Sequence, residues 1–244
     1  MLNYIYDGSF EGLLTAIYET YYRHEIPENI LPEQNLQEQL FYKNVHIVTD
    51  IEKADKVYDS IREKISVSAL QHVFYVFLSE LAGAGTWIYQ YLRFGWKVGR
   101  EVDLYITDDR VLKIHTISRK VAVERHRMLG LIRFRYLEGD IYYAPIEPDY
   151  NIVGLVAPHF AKRFAGQNWI IHDVKRNLTA LYNQRGWIIT DINVNSELNL
   201  EEKEKDYQTL WKQYFKSIAI ESRVNPKLQR RCMPVRYWRY LVEK

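Results

Sequence analysis

The stretch Arg119–Tyr136, RKVAVERHRMLGLIRFRY, places a predicted helix, a glycine and a predicted strand in direct succession. At 3.6 residues per turn, four apolar side chains in and before this stretch share one face: Ile114, Ile117, Val121 and Met128. Polar and basic side chains spread over the other side: Arg119, Lys120, His126 and Arg127. The pattern predicts a helix with a buried apolar stripe and a cationic surface.

The second part of the stretch predicts a helix end and a strand. Gly130 suits a helix stop because glycine accepts the left-handed backbone found there. Over Leu131–Glu138, Arg133 and Arg135 alternate with apolar residues, which places both arginines on one strand face. Such a surface fits an anionic polymer, although a solvated charged face is the commoner reason for basic residues on a helix.

Composition predicts a folded chain with a substantial core. Of the 244 residues, 47% are hydrophobic and 14% are aromatic, which is enough for one large domain or two small ones. We expect a single α+β domain over 1–244 with a soft boundary near Gly99. The N-terminal half should be rich in helices, and a small antiparallel sheet should come mainly from the C-terminal half.

Charge is segregated along the chain. The net charge is only +2, yet residues 89–135 hold eleven Lys or Arg against five Asp or Glu, and residues 207–244 hold nine against two. A polyanionic partner is therefore suggested by local surfaces and not by overall charge.

The sequence of the N-terminal half predicts two short strands and several helices. Leu2–Tyr6 is the first strand, and the turn formed by Asp7, Gly8 and Ser9 can cap the helix that follows it. Residues 25–39 indicate a polar loop or a short extra helix, and Val45–Val48 indicates a second strand. Asp50 and Ser66 are placed to begin the next helices.

The C-terminal half predicts hairpins and a meander. Gly139 and Asp140 form a two-residue turn between Leu131–Glu138 and Ile141–Ile146. Three further short strands are predicted over Trp169–Val174, Leu178–Tyr182 and Trp187–Ile192. Residues 193–206 are polar and acidic. The strongest helical stripe in the chain follows them: Tyr207, Leu210, Trp211, Tyr214, Phe215 and Ile218.

The C-terminal tail mixes basic and aromatic side chains, and two roles are open for it. Arg236, Tyr237 and Trp238 could hold phosphates and stack on unpaired bases. The same mixture could fix the tail against the domain, with its arginines paired to the acidic loop.

Candidate catalytic residues are His126, His159, His172 and Asp173. Histidines and a carboxylate on neighbouring elements could bind a divalent metal or act as acid and base on a phosphodiester, but no metal-binding spacing is present. His172 and Asp173 are strand neighbours and should point to opposite faces. Hydrogen bonding of these histidines to buried carboxylates is the simpler expectation.

Cofactors and membrane segments are not expected. Phosphate-loop and dinucleotide motifs are absent, so neither ATP nor NAD is indicated. Cys232 is the single cysteine, and we expect it to serve packing in a reducing compartment. No secretory signal or apolar membrane stretch is present, which predicts a cytoplasmic protein.

Four segments together resemble a bacterial family of DNA metabolism proteins: YDGSFEGLLTAIYE, RKVAVERHRMLGLIRF, PHFAKRF followed by IIHD, and NPKLQRRCMPVRYW. That family is similar to the domain joined to uracil-DNA-glycosylase-like domains, and its stand-alone members are associated with a radical SAM protein. The resemblance implies a DNA-repair setting and a radical SAM partner, and names no reaction. Residues of these motifs with chemistry suited to binding nucleic acid are Arg119, Lys120, Arg127, Arg133, Arg163, Arg236, Tyr237 and Trp238.

Three hypotheses follow. The chain could be a noncatalytic DNA-binding subunit that presents DNA to the radical SAM partner, since one cysteine cannot hold an iron–sulfur cluster. It could instead be a metal-dependent nuclease-like or glycosylase-like enzyme that uses His126, His159 and His172. It could also be a protein-interaction scaffold whose aromatic tail docks the partner.

Overall fold

The computed structural model describes residues 2–35, 43–191, 202–217 and 225–243, and it confirms the α+β class. The chain forms two compact units, Met1–Ala122 and Val123–Lys244. The organisation of 1–244 as one domain, with a soft boundary near Gly99, stays a prediction. Among the described residues, no helix is both long and apolar enough to cross a bilayer.

The first unit contains a three-stranded parallel sheet in the order β2-β1-β3, formed by β1 (Leu2–Tyr6), β2 (Asn29–Pro32) and β3 (Lys43–His46). The expectation of a loop or short helix over residues 25–39 was wrong for β2, whose Ile30 is fully buried. One side-chain ladder crosses the sheet: Asn29 Nδ2 donates to Asn3 Oδ1 at 3.0 Å, and Asn3 Nδ2 donates to Asn44 Oδ1 at 3.1 Å.

Helices supply most of the core of the first unit. They are α1 (Phe10–Tyr22), α2 (Ile51–Ser60), α3 (Val67–Phe77) and α4 (Ala84–Val98). A fifth helix, α5 (Asp109–Leu131), belongs to the first unit as far as Ala122. The predicted caps are confirmed, and within the turn from Asp7 the capping residue is Ser9. The side chains of Ser9, Asp50 and Ser66 each accept a hydrogen bond from the main-chain N–H three residues later. A π-helical turn, Ile61–Ile65, joins α2 to α3.

Helix α4 passes very close to β2 at Gly85. A Cβ atom on Gly85 would lie 2.6 Å from the main-chain oxygen of Ile30. The neighbouring Thr86 Oγ1 accepts a hydrogen bond of 2.9 Å from the Ile30 N–H. Glycine is therefore needed at this crossing.

The second unit contains a five-stranded sheet in the order β4-β5-β6-β7-β8. Its strands are β4 (Arg135–Leu137), β5 (Ile141–Ile146), β6 (Asn168–Asp173), β7 (Leu178–Tyr182) and β8 (Trp187–Thr190). The hairpin around Gly139–Asp140 and the meander of the last three strands are confirmed as antiparallel pairs. The predicted two-residue turn was wrong, because Leu137 pairs with Ile141 and the turn therefore contains three residues, 138–140. Strands β5 and β6 pair in parallel, because α6 (Val153–Arg163) returns the chain to the end of the sheet at which β5 begins.

Two further helices of the second unit are α7 (Glu202–Ser217) and α8 (Pro226–Cys232). The acidic loop predicted before α7 lies outside the described residues over 192–201. Cys232 is exposed, so its expected packing role was wrong.

The apolar stripe of α5 is buried as predicted, with Ile114, Ile117, Val121 and Met128 each no more than 6% exposed. The predicted helix end was wrong, because α5 runs through Gly130 to Leu131. The strand also begins later than predicted, at Arg135, so Arg133 lies before β4 and does not share a strand face with Arg135.

Candidate nucleic-acid interface

Three aromatic side chains of α7 are exposed on one side of the helix. Tyr207, Trp211 and Tyr214 follow the i, i+4, i+7 spacing that places residues on one helix face, and they are 62%, 39% and 53% exposed. The predicted stripe is thus largely open to solvent. Phe215 and Ile218, also predicted in the stripe, lie outside the side chains that the structure describes.

The position of α7 is fixed by a buried carboxylate near its first turn. Glu204 Oε2 accepts a hydrogen bond of 3.0 Å from the main-chain N–H of Tyr136 in β4. Its Oε1 accepts from Gln208 Nε2 at 2.8 Å. Glu204 is 6% exposed, so the carboxylate joins the helix to the sheet edge and is not a surface charge.

A groove of about 770 Å³ lies beside the exposed face of α7. Its aromatic and cationic lining includes Phe134, Phe160, Phe164, Tyr207, Trp211, Tyr214, Arg133 and Arg163. Phe134 contacts Phe160 and Phe164 edge-on, with ring centroids 5.3 Å apart in both pairs. The rings supply flat apolar surfaces, and Arg163 supplies positive charge in the same cavity, whose lining also includes the carboxylate of Glu204.

Arg133 is held in the groove wall by Glu243. Arg133 Nη2 and Nε donate to the two carboxylate oxygens at 2.7 and 3.2 Å. Burial alone would raise the pKa of Glu243, but the hydrogen bonds from Arg133 outweigh it and the pKa is lowered. The Arg133 guanidinium lies 5.8 Å from the Trp211 ring centre, and Trp211 Nε1 donates to the same carboxylate at 3.1 Å. Glu243 therefore orients both Arg133 and Trp211, and its carboxylate balances the charge of Arg133.

The other predicted phosphate-binding residues of α5 and α6 are exposed, except for the half-buried Arg127. Arg163 is exposed in the last turn of α6 and lines the groove. Arg127 is half-buried on α5, and its Nη2 donates to the main-chain oxygen of Arg231 at 3.3 Å. Arg119 and Lys120 are exposed on the part of α5 that belongs to the first unit.

The predicted residues of the C-terminal tail mainly hold the tail in place. Tyr237 is 3% exposed, and its hydroxyl donates to Glu124 Oε1, so its ring offers no face to a base. Arg236 pairs with Asp149 at 2.7 Å, and the half-buried Trp238 donates from Nε1 to the main-chain oxygen of Met233 at 3.0 Å. We therefore leave Tyr237 out of the binding surface.

Glu124 is the acceptor that organises this region. It is 3% exposed, and its two oxygens also accept from the main-chain N–H groups of Asp149 and Tyr150 at 2.8 and 2.9 Å. Burial, followed by the hydrogen bond to Glu124, raises the pKa of Tyr237, so the tyrosine keeps its proton and donates.

The four candidate catalytic residues have separate surroundings. His126 is exposed on α5, and His159 is half-buried, with its ring edge-on to Phe160 at 5.1 Å. His172 is 5% exposed and forms a hydrogen bond of 2.8 Å between Nδ1 and the Tyr143 hydroxyl. Asp173 is fully buried, pairs with Arg176 and accepts main-chain hydrogen bonds at the β6–β7 turn. Its pKa is raised by burial, which the hydrogen bond from Arg176 opposes.

The predicted histidines do not gather into one site. Within the described ranges, the group of His, Cys, Asp and Glu residues close enough to share a metal ion is His72, Asp103 and His115. This cluster lies in the first unit and was missed from the sequence. Burial lowers the pKa of His72, and His115 lowers it further.

The chain is thus an α+β protein of two compact units. The second unit contains a groove that is lined by aromatic side chains and two arginines. Residues 82–243 match the family described as a domain of unknown function, DUF4130, and the chain belongs to that family. The match contains every residue named in the groove. A search of curated proteins found no match.

Proposed function

We propose that the chain binds single-stranded nucleic acid in the aromatic groove of the second unit. DNA is the polymer favoured by the resemblance to DNA metabolism proteins. The observation that carries the proposal is the exposed face of α7, where Tyr207, Trp211 and Tyr214 open onto a cavity that also contains two arginines.

Stacking is the first contribution to this binding. Every nucleobase has a flat aromatic face, so exposed aromatic rings bind unpaired bases with little dependence on sequence. Trp211 has the largest ring in the groove, and its orientation is fixed by the hydrogen bond from Nε1 to Glu243. A duplex keeps its bases stacked on one another, so this groove favours a single strand.

Charge is the second contribution. Arg163 is exposed at the groove, and Arg127 lies one helical turn before the groove residue Gly130. The main-chain contact of Arg127 brings Arg231 of α8 to the same place. These cations can contact the phosphate backbone of a strand whose bases stack in the groove.

The resemblance also implies the role of an accessory subunit. We propose that the chain holds DNA for a radical SAM partner, which would supply the radical chemistry. The three histidines of the enzyme hypothesis have separate surroundings, and no contact among the described residues favours that hypothesis.

Fluorescence anisotropy with labelled oligonucleotides tests the proposal. We expect the wild type to bind a single-stranded oligonucleotide more tightly than its duplex. Because stacking on one base contributes about 1–3 kcal/mol, Trp211→Ala should weaken binding by about 5- to 150-fold. Tyr22→Ala, which removes an exposed tyrosine of the first unit, is the matched control and should leave affinity unchanged.

Three outcomes would contradict the proposal. The first is no binding to any oligonucleotide at low salt, and the second is equal affinity in wild type and Trp211→Ala. The third is binding to a partner protein that DNA does not affect, which would support the scaffold hypothesis. Product formation from DNA by the purified chain would support the enzyme hypothesis instead.

A further inference from the structure

A compact cluster of metal-ligating side chains lies in the first unit. His72 comes from α3, Asp103 from the 3-10 turn Gly99–Leu104, and His115 from α5. One ligand atom from each residue lies within 4.8 Å of the other two. His115 Nε2 and Asp103 Oδ1 are 2.8 Å apart, and the two imidazole rings are 4.5 Å apart.

We propose that these three side chains form a binding site for one divalent transition-metal ion. Two imidazoles and one carboxylate are the ligands of catalytic zinc sites and of nonheme iron(II) sites. Three protein ligands leave coordination positions for water. The side chains of His115 and Asp103 are 27% and 23% exposed, so water can reach the cluster.

The cluster needs only a modest adjustment to surround an ion. Two ligand atoms bonded to one tetrahedral zinc at about 2.0–2.1 Å lie about 3.3 Å apart. The 2.8 Å pair is slightly closer than this, and since no two of the ligand atoms are more than 4.8 Å apart, the widest separation must close by at most roughly 1.5 Å. Rotation of side chains on three separate elements can provide that movement.

Neighbouring hydroxyl groups orient the ligands. Ser118 is 4% exposed, and its Oγ forms a hydrogen bond of 2.9 Å with His72 Nδ1, so we assign Nε2 to the ion. Ser68 Oγ lies 3.4 Å from that Nε2, a longer contact that an ion would replace. The Tyr91 hydroxyl donates to Asp103 Oδ1 at 2.6 Å. Outer hydrogen bonds of this kind fix the rotamers of metal ligands.

A hydrogen-bonded network without metal is the competing explanation. In that case His115 would simply pair with Asp103, and His72 with Ser118. The close approach of the His72 and His115 rings favours the metal site over the network. The two separate hydrogen bonds of the network do not require one histidine to lie beside the other. An ion shared by both rings gives that arrangement a reason.

Metal titration of the full chain tests the site. Protein stripped with a chelator should bind Zn²⁺ or Co²⁺ at one ion per chain by calorimetry, and Fe²⁺ under anaerobic conditions. His72→Ala and His115→Ala should each weaken binding by at least about 100-fold, and Ser118→Ala or Tyr91→Phe by about 10-fold. His126→Ala removes an exposed histidine of the same helix and should bind like the wild type.

Two further measurements keep the test independent of folding defects. Zn²⁺ should raise the Tm of the wild type and of His126→Ala, but not that of His115→Ala, because only binding to the folded state stabilises it. Co²⁺ should give visible absorption that changes in Asp103→Asn, which keeps the size of the side chain. Ca²⁺ and Mg²⁺ prefer oxygen ligands and should not compete.

Failure of the wild type to bind any of the three transition metals would overturn the proposal. So would metal binding that persists in both His72→Ala and His115→Ala, or that His126→Ala reduces equally. The site lies in the first unit and does not depend on DNA binding, so either proposal can fail without the other.

Discussion

Arg127 Nη2 donates to the main-chain oxygen of Arg231 at 3.3 Å, which brings the central helix and the C-terminal segment of the second unit together. Both segments belong to the stretches in which Lys and Arg outnumber Asp and Glu. Because Arg231 accepts through its main chain, its own guanidinium stays available at an exposed position.

This arrangement predicts a measurable salt dependence. Arg231→Ala keeps the acceptor for Arg127 and removes one charge, so binding of single-stranded DNA should weaken while the fold is retained. For each phosphate that the variant no longer neutralises, the slope of log affinity against log salt should become shallower by about 0.7. Anisotropy titrations between low and moderate salt would measure the slope.

Arg62→Ala removes the same charge from an exposed pair with Asp59 in the first unit and is the matched control. An unchanged slope in Arg231→Ala, or an equal change in Arg62→Ala, would exclude Arg231 from the binding surface.

The hydrogen bond from Tyr237 to Glu124 predicts a stability coupling. Tyr237→Phe removes a buried hydrogen bond to a charged group and should lower the free energy of unfolding by about 1.5–3 kcal/mol. Glu124→Gln should cost a similar amount, because an amide NH₂ would face a main-chain N–H. Urea unfolding of both single variants and the double variant should show a coupling energy of about 1 kcal/mol.

Tyr240→Phe is the comparison for this pair. Its hydroxyl donates to the more exposed Glu147 at 2.9 Å, so its loss should cost less than the loss of the Tyr237 hydroxyl. Strict additivity of Glu124→Gln and Tyr237→Phe would contradict the coupling.

Two glycines should respond to alanine with opposite signs. Gly85→Ala forces a methyl group to 2.6 Å from the Ile30 oxygen and should destabilise the first unit by about 1–3 kcal/mol. Gly130→Ala meets nothing within 4 Å in α5 and should stabilise the chain by about 0.5–1 kcal/mol. Thermal or urea unfolding measures both, and a neutral Gly85→Ala would show that α4 can move away from β2.

Glu19 predicts an acid-sensitive contribution to stability. Burial raises its pKa, but the hydrogen bonds from Lys53 and Arg23 outweigh burial and leave the pKa lowered. A lowered pKa in the folded state gives stability that is fully present above the unfolded value of about 4.3 and is lost as pH falls through the folded value. The difference in unfolding free energy between wild type and Glu19→Gln should therefore shrink toward pH 3. A constant difference would assign the effect to packing.

Local patterns in the sequence predicted the elements that depend on neighbouring residues. The apolar stripe of α5, the caps at Ser9, Asp50 and Ser66, and the Gly139–Asp140 hairpin all follow from spacing and side-chain chemistry within a few residues. Strand β2 was missed because its four residues contain Asn29 and Pro32, and its pairing with β1 lies far away in the chain.

The candidate sites depend on long-range packing, which periodicity does not reveal. The stripe on α7 has the same spacing whether a partner element covers it or solvent does. His72, Asp103 and His115 come from three elements with no motif spacing between them. The available signal was that histidines and aspartates occur in the helical half, and it could not show that these three converge.

The sheet that contains the asparagine ladder Asn29–Asn3–Asn44 should form late during folding. Both strand pairs of that sheet are parallel, so each requires closure of a long chain segment, whereas the β6-β7-β8 meander forms from adjacent hairpins. Pulsed hydrogen exchange during refolding should therefore protect the meander amides first. The amides of residues 3–5 should gain protection later, although these residues are synthesised before those of the meander.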